Sequence, residues 1–119
     1  WEYGSKDCYG LIKDYYKLLG VQLPEYKRPE NLETCESIFL DQMPKNGFKQ
    51  IELKYRLPND VLIMRLGTKT PMHAAILLPN ERILHQKLKS LSCVEAFRAY
   101  YVERVEAIFR YDATGRSSR

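Results

Sequence analysis

The sequence has no long apolar run. The longest, Ala74 to Leu78, is far short of the ~18 residues a membrane-spanning helix requires, so no membrane span is expected. Histidine is scarce, with only His73 and His85, and cysteine is limited to Cys8, Cys35 and Cys93. The cysteines lack CxxC spacing and neither histidine sits in an HxH or HExxH context, so the sequence signatures of a metal or redox site are missing and no metal or cofactor is expected. Three thiols cannot all pair within one chain; at least one is expected to stay reduced, and a Cys35 to Cys93 disulfide stays open. No internal repeat or low-complexity stretch occurs, which excludes a solenoid or propeller. What is present, 119 residues with 45% apolar content, fits one globular domain rather than a disordered chain.

Charge of one sign is in mild excess, with 19 Lys and Arg against 15 Asp and Glu for a net charge of +4. Such a field favours polyanions of any kind. The charges are dispersed, however, and no nucleic-acid motif accompanies them, so no nucleic-acid partner is expected.

Asp7 is a natural N-cap, after which Cys8, Leu11, Ile12, Tyr15, Tyr16 and Leu19 recur at helical spacing until Gly20 supplies a stop. Pro24 and Pro29 keep the next segment extended. A second helix is predicted from Asn31 to about Met43, where Leu32, Cys35, Ile38, Phe39 and Met43 share a face and Pro44 follows. The pattern then turns to strands. Ile51, Leu53 and Tyr55 alternate; Val61 to Leu66 is a buried-type run; His73 to Leu78 and Arg82 to Gln86 flank Pro79, Asn80 and Glu81 as a hairpin. Ser92 is predicted to cap a short helical turn, and Val105 to Tyr111 to form the last strand. Residues 113–119 are small, polar and basic and read as a tail, leaving 1–112 as the domain. Helices first and strands afterwards predict an α+β fold with an antiparallel sheet.

A cysteine directly after an N-cap lies among the unpaired N–H groups of a helix start, where the macrodipole stabilises a thiolate. Cys8 is placed either to react or simply to pack as a small hydrophobe. Nucleophilic chemistry needs a base within reach and a third group that orients it. His73 and His85 stand six residues before Pro79 and four after Glu81, so a hairpin makes them neighbours, each able to project towards a helix lying across the sheet. Cys8, His73 and His85 supply one member each. The same three could ligate zinc, but Cys8 is remote from both histidines in sequence. Tyr15, Tyr16, Tyr100 and Tyr101 invite a sugar-stacking role, although their spacing makes them mainly packing groups.

These residues carry a resemblance. DCYGLI (Asp7 to Ile12) is similar to the nucleophile motif of the NlpC/P60 cysteine peptidases, PNDVLIM (Pro58 to Met64) to their segment before the histidine, and MHAAILL (Met72 to Leu78) to their histidine strand. The twelve-residue step to ILHQ fits their third position. With LPEYKRP (Leu23 to Pro29) and KLKSLS (Lys87 to Ser92), the pattern most resembles the NlpC/P60 domain of the phage tail assembly protein K family, over about Trp1 to Tyr111.

The resemblance implies a papain-like fold with N-terminal helices packed on an antiparallel sheet. It further implies a phage tail-associated peptidoglycan endopeptidase that cleaves amide bonds in stem peptides, commonly D-glutamate to diaminopimelate or lysine. Carried over by position, Cys8 is the nucleophile, His73 the general base and then acid, and His85 the residue that orients His73. Implied partners are peptidoglycan stem peptides, phage tail-tip proteins and an upstream metallopeptidase-like domain; the implied location is the virion tail tip, or the host cell during assembly, with action in the host envelope. A structural tail-tip subunit with an idle or blocked trio, or an acyltransferase on the same plan, are alternatives. Three positions depart from the family. Tyr9 stands where serine is common. Asn59 replaces the turn glycine, whose left-handed conformation asparagine accepts. Trp1 falls in the slot of an upstream tyrosine, so either Trp1 or Tyr3, beside the Cys8 backbone N–H, is left to donate to an oxyanion.

Overall fold

The computed structural model describes residues 8–23, 43–65, 73–86 and 92–112. The predicted second helix, the Asp7 cap, Trp1, Tyr3, Cys35 and the 113–119 tail lie outside them, and Cys8 is described as backbone. The first helix is present as α1 (Cys8–Leu18). Gly20 ends it at φ 85°: Val21 N–H donates to Tyr16 O at 2.8 Å and Gly20 N–H to Lys17 O at 3.0 Å. This pair of bonds is the Schellman closure that a residue without Cβ makes easy.

Six strands follow, β1 (Phe48–Ile51), β2 (Val61–Met64), β3 (His73–Leu78), β4 (Arg82–Gln86), β5 (Ser92–Ala96) and β6 (Val105–Tyr111). They form one sheet in the order β1-β6-β2-β3-β4-β5, with every pair antiparallel. The sheet has a core on each face, which explains why β2 is buried at all four positions and reads as a continuous apolar run rather than an alternating one. One face carries Ile12 and Tyr16 of α1 against Val61, Ile63, Ala74, Ile76 and Phe109. Ile12 is fully buried, and its truncation to Ala is expected to cost ~2–5 kcal/mol. The other face gathers Leu62, Met64, Ala75, Leu77, Ile83 and Phe97 with Tyr101 of a short helix, α2 (Ala99–Val102).

The predicted hairpin is observed: β3 and β4 pair from Leu78↔Arg82 inwards around Pro79, Asn80 and Glu81, with Asn80 and Glu81 left-handed at φ 66° and 53°. Asn59 is also left-handed, at φ 78°, as its glycine-like position required. Two expectations are corrected. Leu53 to Tyr55 is a 3-10 turn, because β1 and β2 flank β6 on opposite sides and point the same way, so the chain must leave the sheet after Ile51 and return its length before Val61. Leu53 still packs on the second core, so the alternation reported burial and not pairing. Ser92 opens a strand rather than capping a helix, since β4 has a free edge that Ser92–Ala96 fills; the short helix comes seven residues later.

Candidate active site

His73 is the first residue of β3 and half-buried; His85, near the end of β4, has no exposure. Register explains how they meet. His85 stands opposite Ala75, two residues from His73, so the histidines are diagonal neighbours on one face, within reach for long side chains. The small Ala75 side chain leaves the space between them to the rings. His73 Nε2 lies 3.0 Å from His85 Nδ1, with ring planes at 84°. Because His73 is opposite Met64, both rings stand on the α2 face. The helix that His85 meets is therefore α2, through Tyr101 at 5.4 Å between rings, whereas α1 packs on the opposite face.

Beyond His85 the network continues. His85 Nε2 is 2.6 Å from Glu95 Oε2, and the Tyr101 hydroxyl donates to that oxygen at 2.9 Å. The Cys93 thiol reaches it at 3.7 Å and belongs to no disulfide. Neither Glu95 nor Tyr101 was singled out by sequence for this role. The signal was present in β5: once Ser92 to Ala96 is a strand, period-two alternation puts Cys93 and Glu95 on the histidine face and leaves Val94 half exposed outside.

His85, Cys93 and Glu95 offer donor atoms within 4.8 Å of one another. Ligands around a tetrahedral ion stand roughly 3.4 Å apart, and the 2.6 Å between His85 and Glu95 is instead a charge-assisted hydrogen bond. The cluster reads as a proton network. An open groove lined by Gln50, Ile51, Glu52, Tyr55, Leu57 and Arg110 lies at the other end of the sheet and touches none of these groups.

The start of β3 and the start of β2 mark opposite ends of the sheet. At the β2 end, buried Asp60 accepts from Arg110 Nε and Nη2, each at 2.9 Å, and from Leu57 N–H at 2.8 Å. The hydrogen bond to Asp60 holds the Arg110 guanidinium above its ordinary value. Tyr15 donates to the Asn59 side chain and Tyr16 to the Asn59 carbonyl. Burial first, then the charge of Asp60, keeps the Tyr16 phenol protonated well above its usual range.

Comparison with known proteins agrees with this fold. Residues 1–110 match the NlpC/P60 family. Tail tip assembly protein K of Escherichia phage lambda is 31% identical over 114 residues, covering 95% of this chain and 57% of that protein; the chain thus spans little more than half the phage protein's length. In fold alone, the chain resembles a crystal structure from Staphylococcus aureus described as similar to lipoprotein, NLP/P60 family, with a TM-score of 0.62 and 19% identity over 91% of this chain and 32% of that one.

Proposed function

This chain belongs to the NlpC/P60 family, and from that premise we propose that it is a cysteine endopeptidase of a phage tail, cleaving amide bonds in peptidoglycan stem peptides with Cys8, His73 and His85. The observation that carries the reading is the 3.0 Å contact between His73 Nε2 and His85 Nδ1, which supplies a base and its orienting group at one end of the sheet. The course of α1 supports Cys8 as their partner. Its C-terminal half is fastened at Asn59, whose N–H donates to Leu77 O at 2.7 Å, near the far end of β3 from His73. From Tyr16 back to Cys8 is ~12 Å of helix, and from Leu77 back to His73 is ~13 Å of strand. In this reading α1, which packs on β3 and β4, runs back along β3 and brings its first turn to the His73 end. Cys8 opens the helix, where the unpaired N–H groups of the first turn favour a thiolate. Because His73 projects to the face opposite α1, this reading requires thiol and imidazole to meet around the strand end.

In this mechanism the thiolate of Cys8 attacks the stem-peptide carbonyl and forms the C–S bond. The oxyanion takes hydrogen bonds from the Cys8 backbone N–H and from Trp1 or Tyr3. Protonated His73 delivers its proton to the leaving amine as the C–N bond breaks. A water molecule then gives a proton to His73 and its hydroxide to the acyl carbon as the C–S bond breaks, releasing the acid and restoring the Cys8 thiolate beside protonated His73. No cofactor takes part.

The experiment is digestion of purified peptidoglycan by the wild type and Cys8→Ala, with released muropeptides weighed by mass spectrometry. Trimmed stem peptides from the wild type alone are expected; equal release by both overturns the assignment. The name of the phage relative, an assembly protein, favours a second reading, a tail-tip subunit acting by protein contacts, which a wild type that releases nothing but still incorporates into tails would support.

A further inference from the structure

Resting on the peptidase reading, we propose that Glu95 is a positioning residue that sets the tautomers of both histidines and thereby makes His73 Nδ1 the nitrogen that takes the Cys8 proton. A carboxylate only accepts hydrogen bonds. Glu95 Oε2 at 2.6 Å from His85 Nε2 therefore puts the His85 proton on Nε2. His85 Nδ1 is then a lone pair, and the 3.0 Å contact requires His73 to donate from Nε2. Neutral His73 is left with its lone pair on Nδ1, the ring nitrogen turned away from His85. One carboxylate thus fixes two rings in series, through a histidine with no solvent exposure.

The carboxylate is itself held. Tyr101 donates to the same oxygen at 2.9 Å, Cys93 approaches it at 3.7 Å, and the Arg98 guanidinium lies 4.9 Å over the Tyr101 ring. Among the described residues, those facing His85 include His73 from β3, Glu95 and Cys93 from β5 and Tyr101 from α2, with Arg98 behind the tyrosine. Glu95 is the one among them that carries negative charge at neutral pH in its ordinary state. Its charge favours the imidazolium that forms when Cys8 gives up its proton.

The test uses the full chain in three forms: wild type, Glu95→Gln, which keeps the shape, and Glu95→Leu, which removes acceptor and charge. Side-chain nitrogen NMR at pH 8 reads the histidine tautomers without substrate. The wild type is expected to show His85 protonated on Nε2 alone, and Glu95→Leu a mixture of both tautomers. In peptidoglycan hydrolysis, kcat is expected to fall about 10-fold in Glu95→Gln and about 100-fold in Glu95→Leu with KM unchanged, as for other orienting partners. Loss of the negative charge lowers the alkaline limb of kcat by about one pH unit. Unchanged tautomers in a folded Glu95→Leu, or in Glu95→Gln an unmoved alkaline limb with wild-type kcat, would overturn the proposal. A wild type without hydrolysis would instead remove the peptidase reading, while the tautomer measurement still decides the role of Glu95.

Discussion

Among the described residues, one end of the sheet buries Asp60 and the other His85, and the two are treated in opposite ways. Asp60, 2% exposed, and His85, 0% exposed, are both hydrogen-bonded on every side that the described contacts show. Around Asp60 the donors are a guanidinium and a backbone amide, groups that do not give up a proton in the working range. Around His85 the neighbours are a histidine, a carboxylate, a phenol and a thiol, groups that exchange protons with one another. The first arrangement fixes a strand entry and anchors α1 through Asn59. The second holds a proton that can move. Burial alone therefore does not mark a reactive site; the exchangeability of the partners' protons does.

The largest expected effect tests that contrast from the reactive side. His73→Ala should lower kcat/KM by about 10³-fold, the range of a lost general base, while thermal unfolding shows little change because His73 is half-buried at a strand end. Asp60→Ala should do the reverse. It strands Arg110, whose side chain is 28% exposed, and should cost ~3 kcal/mol in denaturant unfolding, the low end for a broken buried pair, with kcat per folded molecule unchanged. A catalytic loss from Asp60→Ala in folded protein would erase the distinction between the ends.

Next in size, His85→Ala should reduce kcat about 10- to 100-fold, less than His73→Ala, since His85 acts through another residue. Equal losses in steady-state kinetics would make it a direct participant. The smallest effect sharpens the structural end. Tyr16 has a phenol held above its ordinary value near 10 chiefly by burial, so its contribution is complete below that value and is lost as pH rises past it, because the unfolded chain releases the proton first. Unfolding free energy of the wild type should fall above about pH 10, the ordinary phenol value. Tyr16→Phe should be ~1 kcal/mol less stable at neutral pH through loss of the bond to Asn59 and should decline less steeply above pH 10.

Much of this was legible because the relevant signals are local. The α1 stop at Gly20, the left-handed Asn59 and the Pro79 to Glu81 hairpin each follow from one or two residues with a restricted backbone. Those hairpin residues set the diagonal of His73 and His85, so the candidate base and its orienting partner could be read from spacing. What was missed depends on distant strands. Leu53 and Tyr55 alternate like a strand, but β6 is already paired on one side by β1 and on the other by β2, and neither edge of β6 remains for them. Ser92 has the chemistry of a cap, yet β4 offers an unpaired edge, which no local propensity reveals. That error hid Glu95, because its face is defined only by pairing with β4. Which face the histidines occupy was also out of reach, since it follows from the pairing of His73 with Met64.

The reactivity of Cys8 towards iodoacetamide at pH 7, followed by peptide mass spectrometry in the wild type and His73→Ala, measures most directly whether thiol and imidazole act together. Alkylation of Cys8 faster than that of the same thiol in the unfolded chain, falling to or below the unfolded rate in His73→Ala, is the expected result. A Cys8 that reacts at one rate with or without His73 would contradict it.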